Sequence, residues 1–324
     1  MPQHFIAFWN VENLFDTSTS DARPEWLQKE LKSELKGWTK AVLAKKISQL
    51  ARIISQMNGG TGPDILGVCE VENRPVLEQL AAKLAPLGRA YEIAHADTSD
   101  QRGIDVAFIY DSARYTKGLQ FQHFVQKRTA TRDIFQVNFT TAAGRDLVLI
   151  GNHWPSRIPD QVATEPYRIM VGETLAYFHK RILEIMGRDT AVVAMGDFND
   201  EPFDRSIRNY ALAVRNRQRV MNATTTRYFH NLMWDLTGQG LKSYQFGPRP
   251  NMLDQFWVSR GIAKTGTPFS VDPGSIAVFT PAEMVSGGDY QGPRRFGRPS
   301  SASSFDDTGF SDHFPITMIL QEAD

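Results

Sequence analysis

The sequence is poor in several features that would assign it a class directly. It has one cysteine, Cys69, among 324 residues. No disulfide can form within the chain, and no zinc site with paired cysteines can be built. Its 36 Lys and Arg residues balance 36 Asp and Glu, for a formal net charge of zero. No global positive field draws it to nucleic acid or an anionic membrane, so any anion must be held by a local arrangement. No run approaches the roughly 18 consecutive apolar residues of a membrane-crossing helix. No glycine-rich phosphate loop of the ATP-binding type is present. The opening MPQHFIAFWNVENLF has no basic segment followed by a long apolar one, so no secretory leader is expected. These absences favour a reducing, cytoplasmic setting and a monomer with no stable membrane association.

What is there is enough apolar material for a full core: 41% of residues are hydrophobic. One domain spanning residues 1–324 is expected, since no linker divides the chain. Short apolar runs read as buried strands at Phe5–Trp9, Asp64–Cys69, Ile104–Tyr110, Leu147–Asn152, Ala191–Met195, Met252–Val258 and Ile316–Leu320. Further strands are expected at Tyr91–Ala94, Leu119–Val125, Ile134–Thr140 and Ser275–Val278. Helical spacing of apolar residues predicts helices at Thr39–Met57 and Pro166–Met186, with shorter ones at Pro75–Leu84 and Arg205–Ala213. The outline is a helix followed by several strands, twice over. Residues Ser286–Gly309 are rich in Gly, Ser, Pro and Arg and read as a long loop.

The informative pattern is at the strand ends. Asn10 closes FIAFW, Glu70 closes DILGVC and His153 follows DLVLIGN. GDFND, Gly196 to Asp200, follows AVVAM. Asp254 opens a strand, and Asp312 and His313 precede the last one. A carboxylate beside an amide oxygen, as in Glu70 and Asn10, suits Mg²⁺, with Mn²⁺ as a substitute. Taken singly, Asn10 is equally well explained as a turn cap, Glu70 as half of a surface ion pair and Asp312 as a turn residue. Asp254 can fix the tautomer of His313, and His153 can exchange a proton with a phosphate or leaving group. Asp197 can orient or deprotonate a water, with Asn199 fixing the geometry. Arg157 can grip a phosphate by a two-pronged contact, and Arg102 and Arg168 are further substrate-binding candidates. RNRQR, Arg215 to Arg219, reads as a solvated face. Trp9 and Trp154 read as core, and Cys69 as buried and not nucleophilic. Together the parts point to in-line attack of water on phosphorus with metal assistance.

In their order, NVENLF, CEVEN, RGIDVAFIY, NHWPSR, GDFND, LDQFWVS and SDHFP resemble the endonuclease/exonuclease/phosphatase superfamily, which contains DNase I-like enzymes. The likeness runs from Asn10 to His313. It implies an α/β, more strictly α+β, four-layer α-β-β-α sandwich: two mixed, mostly antiparallel sheets face to face, with helices outside. By this resemblance Asn10 and Glu70 match the metal site, with Asp312 near it. Asp197 and Asn199 match the residues around the attacking water and scissile phosphate, and Asp254 and His313 match an Asp–His pair. His153 looks like the extra histidine of the DNase-like and sphingomyelinase-like branches. The HWPSR form differs from abasic-site enzymes and is similar to the bacterial nuclease-like branch.

A Mg²⁺-dependent phosphodiesterase acting on nucleic acid, DNA first, is therefore expected, with a local groove built from Arg157, Arg294, Arg295 and Arg298. The alternative is a phosphoesterase for a small or lipid substrate such as an inositol phosphate or sphingomyelin. A catalytically dead binding module would be expected to have lost one of Glu70, Asp197, Asp254 or His313, and all are present.

Overall fold

Strands that are apolar without alternation must be covered on both faces, and this is what the chain achieves. The computed structural model describes residues 1–98, 100–128, 131–297 and 305–324. In chain order its elements begin with β1 (Gln3–Leu14), α1 (Glu25–Leu31), α2 (Lys40–Ile54), a short α3 (Met57–Gly60), β2 (Ile65–Val71), α4 (Arg74–Lys83), β3 (Tyr91–His95) and β4 (Asp105–Asp111). Then come β5 (Tyr115–His123), β6 (Ile134–Thr141), β7 (Asp146–His153), the long α5 (Gln161–Met186) and β8 (Ala191–Asp197). The remainder is β9 (Ala213–Val214), α6 (Arg217–Asn222), β10 (Phe229–Asn231), α7 (Trp234–Gly238), β11 (Tyr244–Phe246), β12 (Arg249–Asn251), β13 (Asp254–Val258), α8 (Arg260–Ala263), β14 (Phe269–Val271), β15 (Ala277–Val278) and β16 (Ile316–Glu322).

One seven-stranded sheet has the order β14-β16-β1-β2-β4-β3, with β15 also on β16. The other seven-stranded sheet runs β5-β6-β7-β8-β13-β10-β9. Each is mixed: β1–β2 and β7–β8 are parallel inside mostly antiparallel neighbours. Three apolar layers hold the stack. Ile6, Phe8 and Phe108 of the first sheet meet Val137, Leu149, Met195 and Phe256 of the second. The next residues along β1, Ala7 and Trp9, face outward and pack with Leu43, Ile47 and Leu50 of α2 and Leu77 and Leu80 of α4. On the far side Val148, Ile150, Val192 and Ala194 pack with Val171, Leu175 and Ile182 of α5. Each fully buried aliphatic or Phe side chain contributes about 1.5–3 kcal/mol of transfer free energy. The result is the expected α-β-β-α sandwich. Close approach needs small residues at set points. A Cβ on Gly151 would lie 2.5 Å from Val106 of the facing sheet, and one on Gly196 would lie 2.3 Å from the Asn152 carbonyl of the next strand.

Several expected elements take other bounds in the structure, and α1, β11, β12 and β14 were not expected. Strand β1 continues to Leu14, beyond Trp9, because its polar end NVEN is buried as well. Helix α5 starts at Gln161, not Pro166, because the Asp160 carboxylate caps the Ala163 N–H at 2.7 Å. The strand expected at Leu119–Val125 runs Tyr115–His123 and is exposed through its middle, as befits the edge of its sheet. Residues Ser206–Tyr210 make one wide π turn in place of the short helix, and β9 follows at once. The strand expected at Ser275–Val278 is reduced to Ala277–Val278 by a turn at Pro273–Ser275. Asn73 caps α4 as its sequence indicates, accepting from Val76 N at 3.1 Å.

Candidate active site

Sheet register brings the polar strand ends together. In the parallel pair β7–β8, His153 sits beside Asp197. In the antiparallel pair β8–β13, the start of β13 places Asp254 on the other side of Asp197. In the first sheet, Asn10 pairs with Cys69, so Asn10 and Glu70 emerge at one rim. The turn before β16 is tied to the same rim: Ser311 Oγ donates to Asn10 O at 2.6 Å, and Trp9 Nε1 donates to His313 O at 2.8 Å. Four non-glycine residues here have left-handed backbone: Glu12 (φ 52°), Asn13 (56°), Glu70 (62°) and Asn199 (50°). Such strain persists only where surrounding contacts over-determine it, and it concentrates at functional sites.

The side chains converge on one pocket. Asp254 Oδ2 lies 2.6 Å from His313 Nδ1, which leaves His313 Nε2 facing Asp197 Oδ2 at 3.8 Å and Asp312 Oδ1 at 4.0 Å. His153 Nε2 is 3.6 Å from Glu70 Oε1 and 3.9 Å from Asp197 Oδ2. Asn10 Nδ2 donates to Asp197 Oδ2 at 3.0 Å and reaches Glu70 Oε1 at 3.5 Å, while its Oδ1 accepts from Glu12 N at 3.0 Å. Asn10 thus bridges the two carboxylates through its nitrogen. Glu70 is further fixed by Asn13 N at 2.9 Å. Asp197, Asp254 and His313 present ligand atoms within 4.8 Å of one another.

Burial sets the protonation states. Asp197 is pushed up to about 6 by loss of solvation and by Asp254, which His313 and the bonds from Asn199 and Asn10 only partly offset. Asp312 is pushed up to about 7 by burial, with Glu12 and Glu70 acting in the same direction. His313 moves the other way. Burial acts to lower it, but Asp254, Asp197 and Asp312 together outweigh burial and hold it well above its usual range. His153 is held well below that range by burial, with Arg132, Arg102 and His313 adding to the effect. One imidazole is therefore cationic and the other neutral at neutral pH. This opposition is the mark of an acid–base site. The carboxylates raised by burial are what a hard divalent cation would relieve, and Glu70 and Asp312 offer oxygen donors of the kind Mg²⁺ accepts. Asn10, expected as a ligand, instead turns its nitrogen toward Glu70 and Asp197 and its Oδ1 toward Glu12 N.

Asn199 shapes the loops beneath. Its N–H donates to Asp197 Oδ1 at 2.9 Å and its Nδ2 to Trp154 O at 3.0 Å, tying GDFND to HWPSR. Arg102 stays exposed at the rim and donates to Asn13 Oδ1 at 2.5 Å. Two expected substrate contacts need correction. Arg168 is fully buried; it pairs with Asp200 at 2.8 Å and donates to Thr164 Oγ1 and to the carbonyls of Ser156 and Gln161. Arg157 turns to Asn199 O at 2.7 Å and Asp204 at 2.9 Å, with Asp200 at 3.4 Å. Both brace the loop under Asn199; Arg168 has no exposed donor, while Arg157, 18% exposed, keeps only Nη1, 3.9 Å from Glu201, without a hydrogen bond among the described residues. In the expected arginine groove, Arg294 pairs with Asp306, Arg295 leans over the pocket, and Arg298 lies outside the described residues. Trp9 and Trp154 are core, and Cys69 is buried with its thiol pushed well up by burial and by Asp197 and Glu70, which leaves it no nucleophile.

Sequence reasoning passed over Glu12 and Lys46, and it gave Arg295 a place in a substrate groove, not a bridge between carboxylates. Glu12 is wholly buried and accepts from Arg295 Nε at 2.9 Å and Phe296 N at 3.0 Å. Arg295 also reaches Asp312 at 3.3 Å, so it spans two pocket carboxylates. Lys46 on α2 is wholly buried, donates to Phe310 O at 2.7 Å, and is lowered to about 8 by burial against the pull of Glu12, Asp312 and Glu70. The only sequence signal for Lys46 is a lysine lying one residue before Ile47 of the apolar face. NVEN held the signal for Glu12, where an acid follows Asn10 by two positions.

A model of the Endonuclease/Exonuclease/phosphatase family matches residues 5–322. No curated protein matches the chain. Among solved structures, D. rerio TDP2 complexed with single-strand DNA product is 15% identical, with a TM-score of 0.56, and the match covers 99% of this chain and 100% of that one. The mannosyl-6-phosphatase Bt3783 of Bacteroides thetaiotaomicron is 15% identical with a TM-score of 0.57, covering 98% and 99% of the two chains. The human Nocturnin catalytic domain is 15% identical with a TM-score of 0.52, covering 99% and 95%. At these identities the likeness speaks to the fold.

Proposed function

The chain belongs to the endonuclease/exonuclease/phosphatase family, whose members hydrolyse phosphoric esters, and we propose that it is a Mg²⁺-dependent phosphodiesterase of nucleic acid, DNA foremost. The observation that carries the reading is the 2.6 Å Asp254–His313 pair, with the free imidazole nitrogen 3.8 Å from Asp197. Glu70 and Asp312 would hold the cation, with Asn10 joining them only if its amide turns over to present Oδ1. When bound it would neutralise phosphate oxygens and the charge that builds on the leaving oxygen. Asp197, raised to about 6, is matched to take a proton from water near neutral pH. Water oxygen bonds to phosphorus in line with the departing ester oxygen. His313 donates Nε2–H to a phosphate oxygen and carries the positive charge that Asp254 stabilises. His153, kept neutral, presents Nε2 as a hydrogen-bond donor beside the same phosphate. No Ser or Cys nucleophile is required.

The DNA product held by D. rerio TDP2 supports nucleic acid as substrate. A smaller phosphoester is favoured by a different observation: with Arg157 and Arg168 turned inward, less positive surface is left beside the pocket for a polyanion. The experiment is incubation of the protein with supercoiled plasmid, RNA, bis-p-nitrophenyl phosphate and p-nitrophenyl phosphate, each with Mg²⁺, Mn²⁺ or EDTA. Plasmid nicking together with diester cleavage is the expected result. Monoester release alone overturns it in favour of a phosphatase, and no hydrolysis with either cation overturns both.

A further inference from the structure

A cavity of about 580 Å³ opens at the opposite end of the second sheet from the catalytic carboxylates. Strand β13 joins the two places: Asp254 at its start holds His313, and Val258 at its end lines the cavity. At the usual strand rise these residues are roughly 13 Å apart. The volume falls in the roughly 300–1,000 Å³ range of small-molecule sites.

Its lining has two characters. The floor is apolar, from Leu232, Leu236, Val258 and Ile262. The rim carries Arg215 and Arg217, the start of the RNRQR run that the catalytic site leaves unused. Arg217 is anchored by its Nε to Ala263 O at 2.6 Å, a contact that leaves its terminal nitrogens for other partners. Arg215 makes only a long 3.4 Å contact to Asp235, with both side chains largely exposed, and its guanidinium lies 5.8 Å from the ring centre of Trp234. An exposed pair of this kind holds an arginine weakly. Trp234 also lines the cavity with its ring, while its Nε1 is buried and does not open onto the accessible space. His230, lowered to about 4 by burial and by Arg217, is neutral at physiological pH, so the arginines carry the electrostatics.

We propose that this cavity binds a small organic anion: a flat apolar ring on the floor and an oxyanion group on Arg215 and Arg217. The inference is independent of the catalytic reading, since a different set of residues carries it. The test is isothermal titration calorimetry with naphthalene-1-sulfonate, which no phosphoesterase cleaves, in EDTA. Inorganic sulfate serves as the control for the charge alone. One site per chain is expected, with sulfate binding at least about tenfold more weakly. The Arg215→Ala/Arg217→Ala double variant should lose at least about tenfold in affinity while keeping the wild-type circular dichroism spectrum and urea midpoint, which shows that it is folded. Leu236→Trp, which fills the floor, should abolish binding, and Asp197→Ala should bind as the wild type does. No binding heat, equal affinity for sulfate, or a loss that follows Asp197→Ala and not the arginines would each overturn the proposal.

Discussion

Replacing Asp254 by Asn is the sharpest perturbation the site offers. The two side chains have the same shape, so the packing around residue 254 is kept while one charge is removed. Asp254 is wholly buried, and His313 is 5% exposed, so solvent does not screen the 2.6 Å contact between them. A hydrogen bond to a charged partner contributes about 1.5–3 kcal/mol net. Its loss lowers the cationic fraction of His313 by up to roughly 10- to 150-fold at pH above the lowered pKa, and kcat falls with that fraction. The sign of the pH effect follows from the causes. In the wild type, burial opposes the imidazolium and Asp254 is the first of the groups that restore it. Without Asp254, burial gains the upper hand and His313 loses its proton at lower pH. The alkaline limb of the kcat profile therefore moves toward neutrality, and turnover partly recovers on mild acidification. Asp197 is affected in two opposing ways, losing the repulsion of Asp254 and the attraction of a cationic His313. The assay is hydrolysis of bis-p-nitrophenyl phosphate with saturating Mg²⁺ across the pH range. An alkaline limb that stays in place, or turnover within about twofold of wild type, would refute the role given to the pair.

Other outcomes follow from the same geometry. Asp197→Ala should lose at least about 10²-fold in kcat with its urea midpoint little changed. Wild-type kcat should rise with pH through about 6 as Asp197 gives up its proton, which a pH–rate profile reads directly. Arg168→Leu should destabilise the fold by up to about 3–5 kcal/mol by taking from buried Asp200 its closest cation and leaving it only Arg157 at 3.4 Å and the Ser206 hydroxyl, a loss that urea unfolding would show, since both partners are at most 2% exposed. Glu70→Gln should raise the Mg²⁺ concentration needed for half-maximal rate, as measured by metal titration of the hydrolysis assay.

The sandwich and the pocket differ in how far they could be read from the chain. Uninterrupted runs such as AVVAM and DLVLIG announce strands covered on both faces, and each run ends in a residue that water or a ligand must satisfy. Asn10, Glu70, His153, Asp197, Asp254 and His313 were legible for that reason. The arginines were not. Residue type and position gave Arg157 and Arg168 the chemistry to hold phosphate, but whether a guanidinium faces outward depends on which carboxylates the fold sets beside it. Asp200 and Asp204 claim both. Glu12 was hidden for a related reason: the left-handed backbone at Glu12 and Asn13 breaks the alternation that strand reading relies on. Edge strand β5 was misplaced because its polar, exposed middle carries no burial pattern to read.

The central claim is that one buried pocket, centred on Asp197 and His313, hydrolyses phosphodiesters only with a divalent cation in place. Release of p-nitrophenolate from bis-p-nitrophenyl phosphate tests it in one experiment: wild type with Mg²⁺, wild type with EDTA, and His313→Ala with Mg²⁺. Turnover in the first alone is the predicted result. Undiminished turnover in EDTA, or in a folded His313→Ala protein, would contradict it.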